Sequence, residues 1–113
     1  MPLVPLVVKK AFLMIKHIVL WKLKDSVDGQ PKKELAVRLK KALEDLIGKI
    51  PEIRMLEVGI NTNPADIASD VSIYSEFDSQ KDLEAYQKHP EHSKVVELVK
   101  KVTVERRVSD YEG

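Results

Sequence analysis

The run Ile15–Leu23, IKHIVLWKL, restricts the fold of this 113-residue chain more than any other stretch. β-Branched and aromatic side chains dominate it, and it reads as a strand. Because side chains alternate across a strand, His17, Val19, Trp21 and Leu23 share one face while Ile18 and Leu20 share the other. Both faces are partly apolar. A strand of that kind belongs inside a sheet that is covered on both sides.

The rest of the chain supplies cover for only one side. Between Lys32 and Ile47, apolar residues at Leu35, Leu39, Ala42, Leu43, Leu46 and Ile47 follow helical spacing, with Ser26 or Asp28 as candidate cap and Gly48 as terminator. Ile53 to Ile60 and Asp70 to Phe77 read as strands, two short helices follow around Pro90, and a last strand spans Val102 to Asp110. The order β-α-β-β-α-β is that of an α+β, ferredoxin-like protomer with a four-stranded antiparallel sheet and helices on one face. Ile18, Leu20 and Tyr74 then lie on the face that the helices do not reach. A second copy packed sheet to sheet would bury them, so a homodimer through the sheet faces is expected.

Composition narrows the function. The 19 lysines and arginines balance 18 acidic residues and are interspersed with them, which is not a nucleic-acid footprint. The absence of cysteine excludes disulfides, thiolate metal sites and cysteine nucleophiles, and suits a cytoplasmic setting. The three histidines lack the carboxylate spacing of a metal site, so no metal or cofactor is expected. Residues 1 to 13, MPLVPLVVKKAFL, place their lysine pair after the apolar run, unlike a secretory signal, and are too short to span a bilayer. They read as an N-terminal extension to a domain over residues 14 to 113, with no membrane partner.

Chemistry concentrates in FDSQKDLEAYQKHPEHS, residues 77 to 93. Ser79 and Asp82 have capping-box spacing, so a short helix should run past Leu83 and Tyr86 to the Pro90 break. Proline pushes His89 to an extended conformation and suits the first position of the next helix. His92 then falls in a helical first turn, where the dipole disfavours its protonation. A neutral, oriented imidazole beside the Tyr86 hydroxyl is a general-base arrangement, with Tyr86 and His92 as candidate catalytic residues. His17, Val19, Trp21 and His89 are candidate substrate contacts. The competing reading is that these histidines and the tyrosine tie helix to sheet by hydrogen bonds, as buried polar groups must.

Three stretches, IKHIVLWKLKD, IPEIRMLEVGIN and SEFDSQKDLEAYQKHPEHSKV with the closing VSDYE, resemble the stress-responsive A/B barrel domain (Dabb) family of the dimeric α+β barrel superfamily. The resemblance covers residues 14 to 112. It implies a ferredoxin-like protomer that dimerises through its sheet, with a pocket between sheet and helices. One plant member of the family is a polyketide cyclase that closes a ring by aldol condensation without a cofactor; its catalytic tyrosine and histidine correspond to Tyr86 and His92, and His17 matches a pocket histidine of its first strand. Two functions follow from the resemblance. One is a small dimeric domain that binds an apolar or carbonyl-containing ligand; the other is a cofactor-independent cyclase or lyase. A monooxygenase of the neighbouring branch would need an asparagine, tryptophan and histidine constellation that has no place here.

Overall fold

A computed structural model of the protein describes residues 13–113. Residues 1–12, all but the last residue of the expected extension over residues 1 to 13, lie outside the described residues. The strand Ile15–Leu23 (β1) forms as its alternation predicts and occupies the interior of a four-stranded sheet. Its neighbours are Val71–Phe77 (called β5 below) and Thr103–Glu112 (β6), both antiparallel, and Met55–Ile60 (β4) forms the other edge beyond β5. The sheet order is β4-β5-β1-β6. Three helices, Lys32–Glu44 (α1), Gln80–Lys88 (α2) and Pro90–Val102 (α3), complete the ferredoxin-like arrangement.

The core lies between helices and sheet. His17, Val19, Trp21 and Leu23 of β1 are buried there, with Val71, Ile73, Ser75 and Phe77 of β5. From the helices come Leu35, Leu39 and Leu43 of α1 and Leu83 and Tyr86 of α2. Leu39 has no exposed surface, so Leu39→Ala would cost about 2–5 kcal/mol through lost burial and the cavity left behind. On the opposite face, Ile18 sits between Tyr74 and Ser109, while Leu20, Met55 and Tyr111 are partly exposed. Tyr74 donates to Glu76 at 2.5 Å, and that bond together with burial pushes the phenol up to about 12.

Several local expectations need correction. Neither Ser26 nor Asp28 caps α1: residue Pro31 precedes the helix and no side chain caps it. Ser26–Val27 (β2) and Gln30–Pro31 (β3) instead pair across a two-residue turn. Asp28 and Gly29 both take positive φ, 51° and 81°, as a type I′ hairpin demands. The Asp28 carboxylate pairs with Lys101 at 2.7 Å, which holds its pKa below the usual value. α1 ends at Glu44, and turns carry the chain through Gly48 at φ 88°. Leu46 stays buried, but the lost helical phase leaves Ile47 exposed. Val102 ends α3 rather than opening β6, and is fully buried as its last residue.

Around Pro90 the local chemistry acts as expected. Ser79 Oγ accepts from the Asp82 amide at 3.1 Å and caps α2. His89 is extended (φ −65°, ψ 138°), and Pro90 opens α3.

Candidate functional site

α2 packs over β5 and β1, while the inner face of β6 is poorly covered, and Val108 there is 44% exposed. The face of α3 that looks toward this gap carries Val95, Val96 and Val99, which are only half-buried. Between that face and the sheet lies a cavity of about 320 Å³. Five of the six residues singled out from the sequence line it: His17, Val19 and Trp21 from β1, Tyr86 from α2 and His92 from α3. Leu43, Ile73 and the α3 valines complete a mostly apolar wall, with Lys100, Thr103 and Arg106 on the side of β6.

Tyr86 is at the centre of the aromatic group. Its ring centroid is 4.5 Å from that of His92, 4.9 Å from Phe77 and 6.3 Å from His17. Only 1% of its surface is exposed, and burial pushes its pKa up to about 12, opposed by the charge of Arg106. The hydroxyl is therefore protonated throughout the neutral range.

His92 is held below the ordinary imidazole pKa of 6.5, and the largest cause is burial. The nearby Gln87 carbonyl favours the charged ring, while the positive charges of Arg106 and any protonated histidine oppose it. Nδ1 of His92 is buried without a hydrogen-bond partner, and so is Nε1 of Trp21. Two unpartnered polar atoms on one cavity are unusual, because buried polar groups are nearly always satisfied.

The other histidines do different work. His17, 4% exposed, bonds through Nδ1 to Asp110 Oδ1 at 2.5 Å. The two residues face each other directly across the β1–β6 ladder. The carboxylate accepts from Nδ1–H and fixes the orientation of the ring. Ser75 Oγ donates to the His17 carbonyl at 3.2 Å and anchors the strand from its other side. His89, a candidate substrate contact, stands apart from the cavity lining. Its Nδ1 accepts from the Glu91 amide at 3.1 Å and caps α3, which is a structural task.

Asp110 and Arg106 were not legible as site residues. Alternation puts both on one face of β6, but only the strand register, 93 residues away in sequence for the His17 pair, brings Asp110 to the site.

An α+β ferredoxin-like protomer with an apolar cavity between sheet and helices, walled by tyrosine and histidine, defines the class. The chain belongs to the stress responsive A/B barrel domain family, whose model matches residues 15–113. An uncharacterised Streptomyces coelicolor protein is 36% identical over 85 residues, covering 75% of this chain and 86% of that protein. The structure is similar to that of a dimeric ferredoxin-like protein of Bacteroides fragilis, with a TM-score of 0.79 and 40% identity over 88% of this chain and 96% of the other. It is also similar in fold to a Passiflora edulis hydroxynitrile lyase, with a TM-score of 0.75 and 15% identity over 88% and 93% of the two chains. Among the described residues no helix is long and apolar enough to cross a membrane.

Proposed function

We propose that the protein is a homodimer that binds a small, largely apolar carbonyl compound in this cavity, and that Tyr86 and His92 move a proton on it. The observation that carries the reading is His92: neutral through burial, unpartnered at Nδ1, and 4.5 Å from the Tyr86 ring. A histidine kept for structure has its nitrogen satisfied, as His89 does. Nδ1 of His92 has no such partner.

The chemistry follows from the two pKa directions. A neutral imidazole removes a proton α to the carbonyl, and negative charge moves to the carbonyl oxygen. The Tyr86 hydroxyl donates a hydrogen bond to that oxygen as the charge develops. His17, held by Asp110, orients the substrate or a water molecule. No cofactor enters these steps. They form the enolate with which an aldol cyclisation opens; the enolate carbon then attacks a second carbonyl of the same molecule, whose oxygen takes up the proton held on His92.

The dimer completes the fold. Ile18, Leu20, Met55, Tyr74 and Tyr111 share the sheet face that carries no helix, and a second copy would remove them from water. The similar Bacteroides fragilis protein is described as dimeric. The name of the family supports a part in stress responses, and a cytoplasmic location suits a chain without cysteine.

The test is a screen of β-dicarbonyl and polyketide-like compounds for binding, followed by turnover of each ligand found. His92→Ala should lower turnover by about 100- to 10,000-fold, the usual loss of a general base. Binding without turnover would reduce the function to that of a ligand-binding domain. Absence of any ligand would favour the purely structural account of these side chains.

A further inference from the structure

Of the four arginines in the chain, Arg106 alone has no polar partner among the described residues. Arg38 donates to Gln30, Arg54 pairs with Asp78 at 2.7 Å, and Arg107 approaches Glu105 at 3.9 Å. Arg106 stands across the ladder from Trp21, on the side of the sheet that faces the helices, and lines the cavity. Lys100 of α3 lines it too, at a loose 3.8 Å from Glu97. No carboxylate lines the cavity. Asp110, on the same face of β6, is engaged by His17.

The result is an apolar chamber with hydrogen-bond donors and uncompensated positive charge. Its field reaches the reacting groups, since the Arg106 charge depresses the pKa of both Tyr86 and His92. Trp21 adds a buried indole N–H without an acceptor. Each of these features is complemented by an acceptor-rich anion.

We infer that the ligand is a keto acid, held by its carboxylate on Arg106, with its carbonyl toward Tyr86 and His92 and its apolar body against Val95, Val96 and Val99. The inference rests on the cavity being the ligand site proposed above. A guanidinium presents a planar fork that matches a carboxylate in a bidentate way, which an ammonium does not. A volume of about 320 Å³ suits a compact acid and lies at the low end of ligand cavities. Phosphate monoesters share the negative charge, and the experiment separates them.

The experiment is titration calorimetry of the intact protein with β-benzoylpropionate, its methyl ester and phenyl phosphate. Fluorescence of Trp21, the sole tryptophan, gives a second readout of occupancy. The acid should bind more tightly than the ester by about 10- to 100-fold, the range for a hydrogen-bonded charge. Arg106→Gln should abolish that advantage and leave the affinity of the ester unchanged. Arg106→Lys should retain part of it, and added salt should weaken the acid more than the ester. Arg106 is exposed on an edge strand, so both variants should fold, which circular dichroism checks.

Equal binding of acid and ester would overturn the keto-acid assignment while leaving the cavity a ligand site. Equal weakening of both by Arg106→Gln would do the same. Phenyl phosphate binding at least as tightly as the acid would overturn the carboxylate in favour of a phosphate. Failure of all three probes to bind would count against the keto acid and the ligand site together.

Discussion

Tyr86→Phe separates a catalytic hydroxyl from a structural one. The ring packs 4.9 Å from Phe77 and 4.5 Å from His92, and these contacts survive the substitution. Tyr86→Ala would lose them and cost about 3–5 kcal/mol, as large-to-small changes of buried aromatics do. Phenylalanine leaves only the hydroxyl to account for. If that hydroxyl held helix to sheet, its loss would cost about 1 kcal/mol. In a domain of this size that corresponds to roughly 4–8 °C in melting temperature. Burial is what raises the phenol to about 12, with no hydrogen-bond partner among the causes. The variant should therefore melt within about 4 °C of the parent, while turnover falls by about 100- to 1,000-fold, the loss seen when an oxyanion donor is removed. Differential scanning fluorimetry and a turnover assay on the same preparation give both numbers. A variant that melts well below the parent yet retains full turnover would refute the role assigned to Tyr86.

Because burial holds His92 below 6.5 in the folded state, the unfolded chain binds this proton first as pH falls; stability should drop between 6.5 and the lower folded value, and His92→Gln should flatten that part of a denaturation series. Turnover should show its acid limb below 6.5, and Tyr86 should impose no alkaline limb until about 12. Asp110→Ala leaves the buried His17 Nδ1–H without its acceptor, and should cost about 1–3 kcal/mol by chemical denaturation; an unchanged midpoint would mean that the pair does not hold His17. Leu20→Glu places an unpaired charge on the helix-free sheet face, and light scattering should show monomers or aggregates; a soluble variant of unchanged dimer mass would contradict dimerisation through that face.

How much was legible from the sequence depends on how local the signal is. β1 was legible to the residue, because nine alternating positions record both of its faces. The Ser79 cap, the extended His89 and Pro90 at the helix start were legible because each depends on its immediate neighbours. The Asp28-Gly29 hairpin was equally local, since Asp-Gly between two short extended segments is a strong turn signal. Ile47 was misplaced because helical periodicity carries no sign of where the helix stops. Asp110 and Arg106 lay beyond reach for a different reason: their facing residues on β1 are set by strand register, which depends on packing of the whole sheet.

The central claim, a cavity that holds a neutral His92 ready to move a proton on a carbonyl ligand, is most directly tested by ring-nitrogen NMR. His92 would be assigned with His92→Gln and followed across a pH titration with and without ligand. The account predicts a pKa below 6.5, a neutral ring at pH 7, and His92 resonances that move on saturation with the ligand. A His92 that titrates at or above 6.5, with resonances indifferent to saturating ligand, would contradict it.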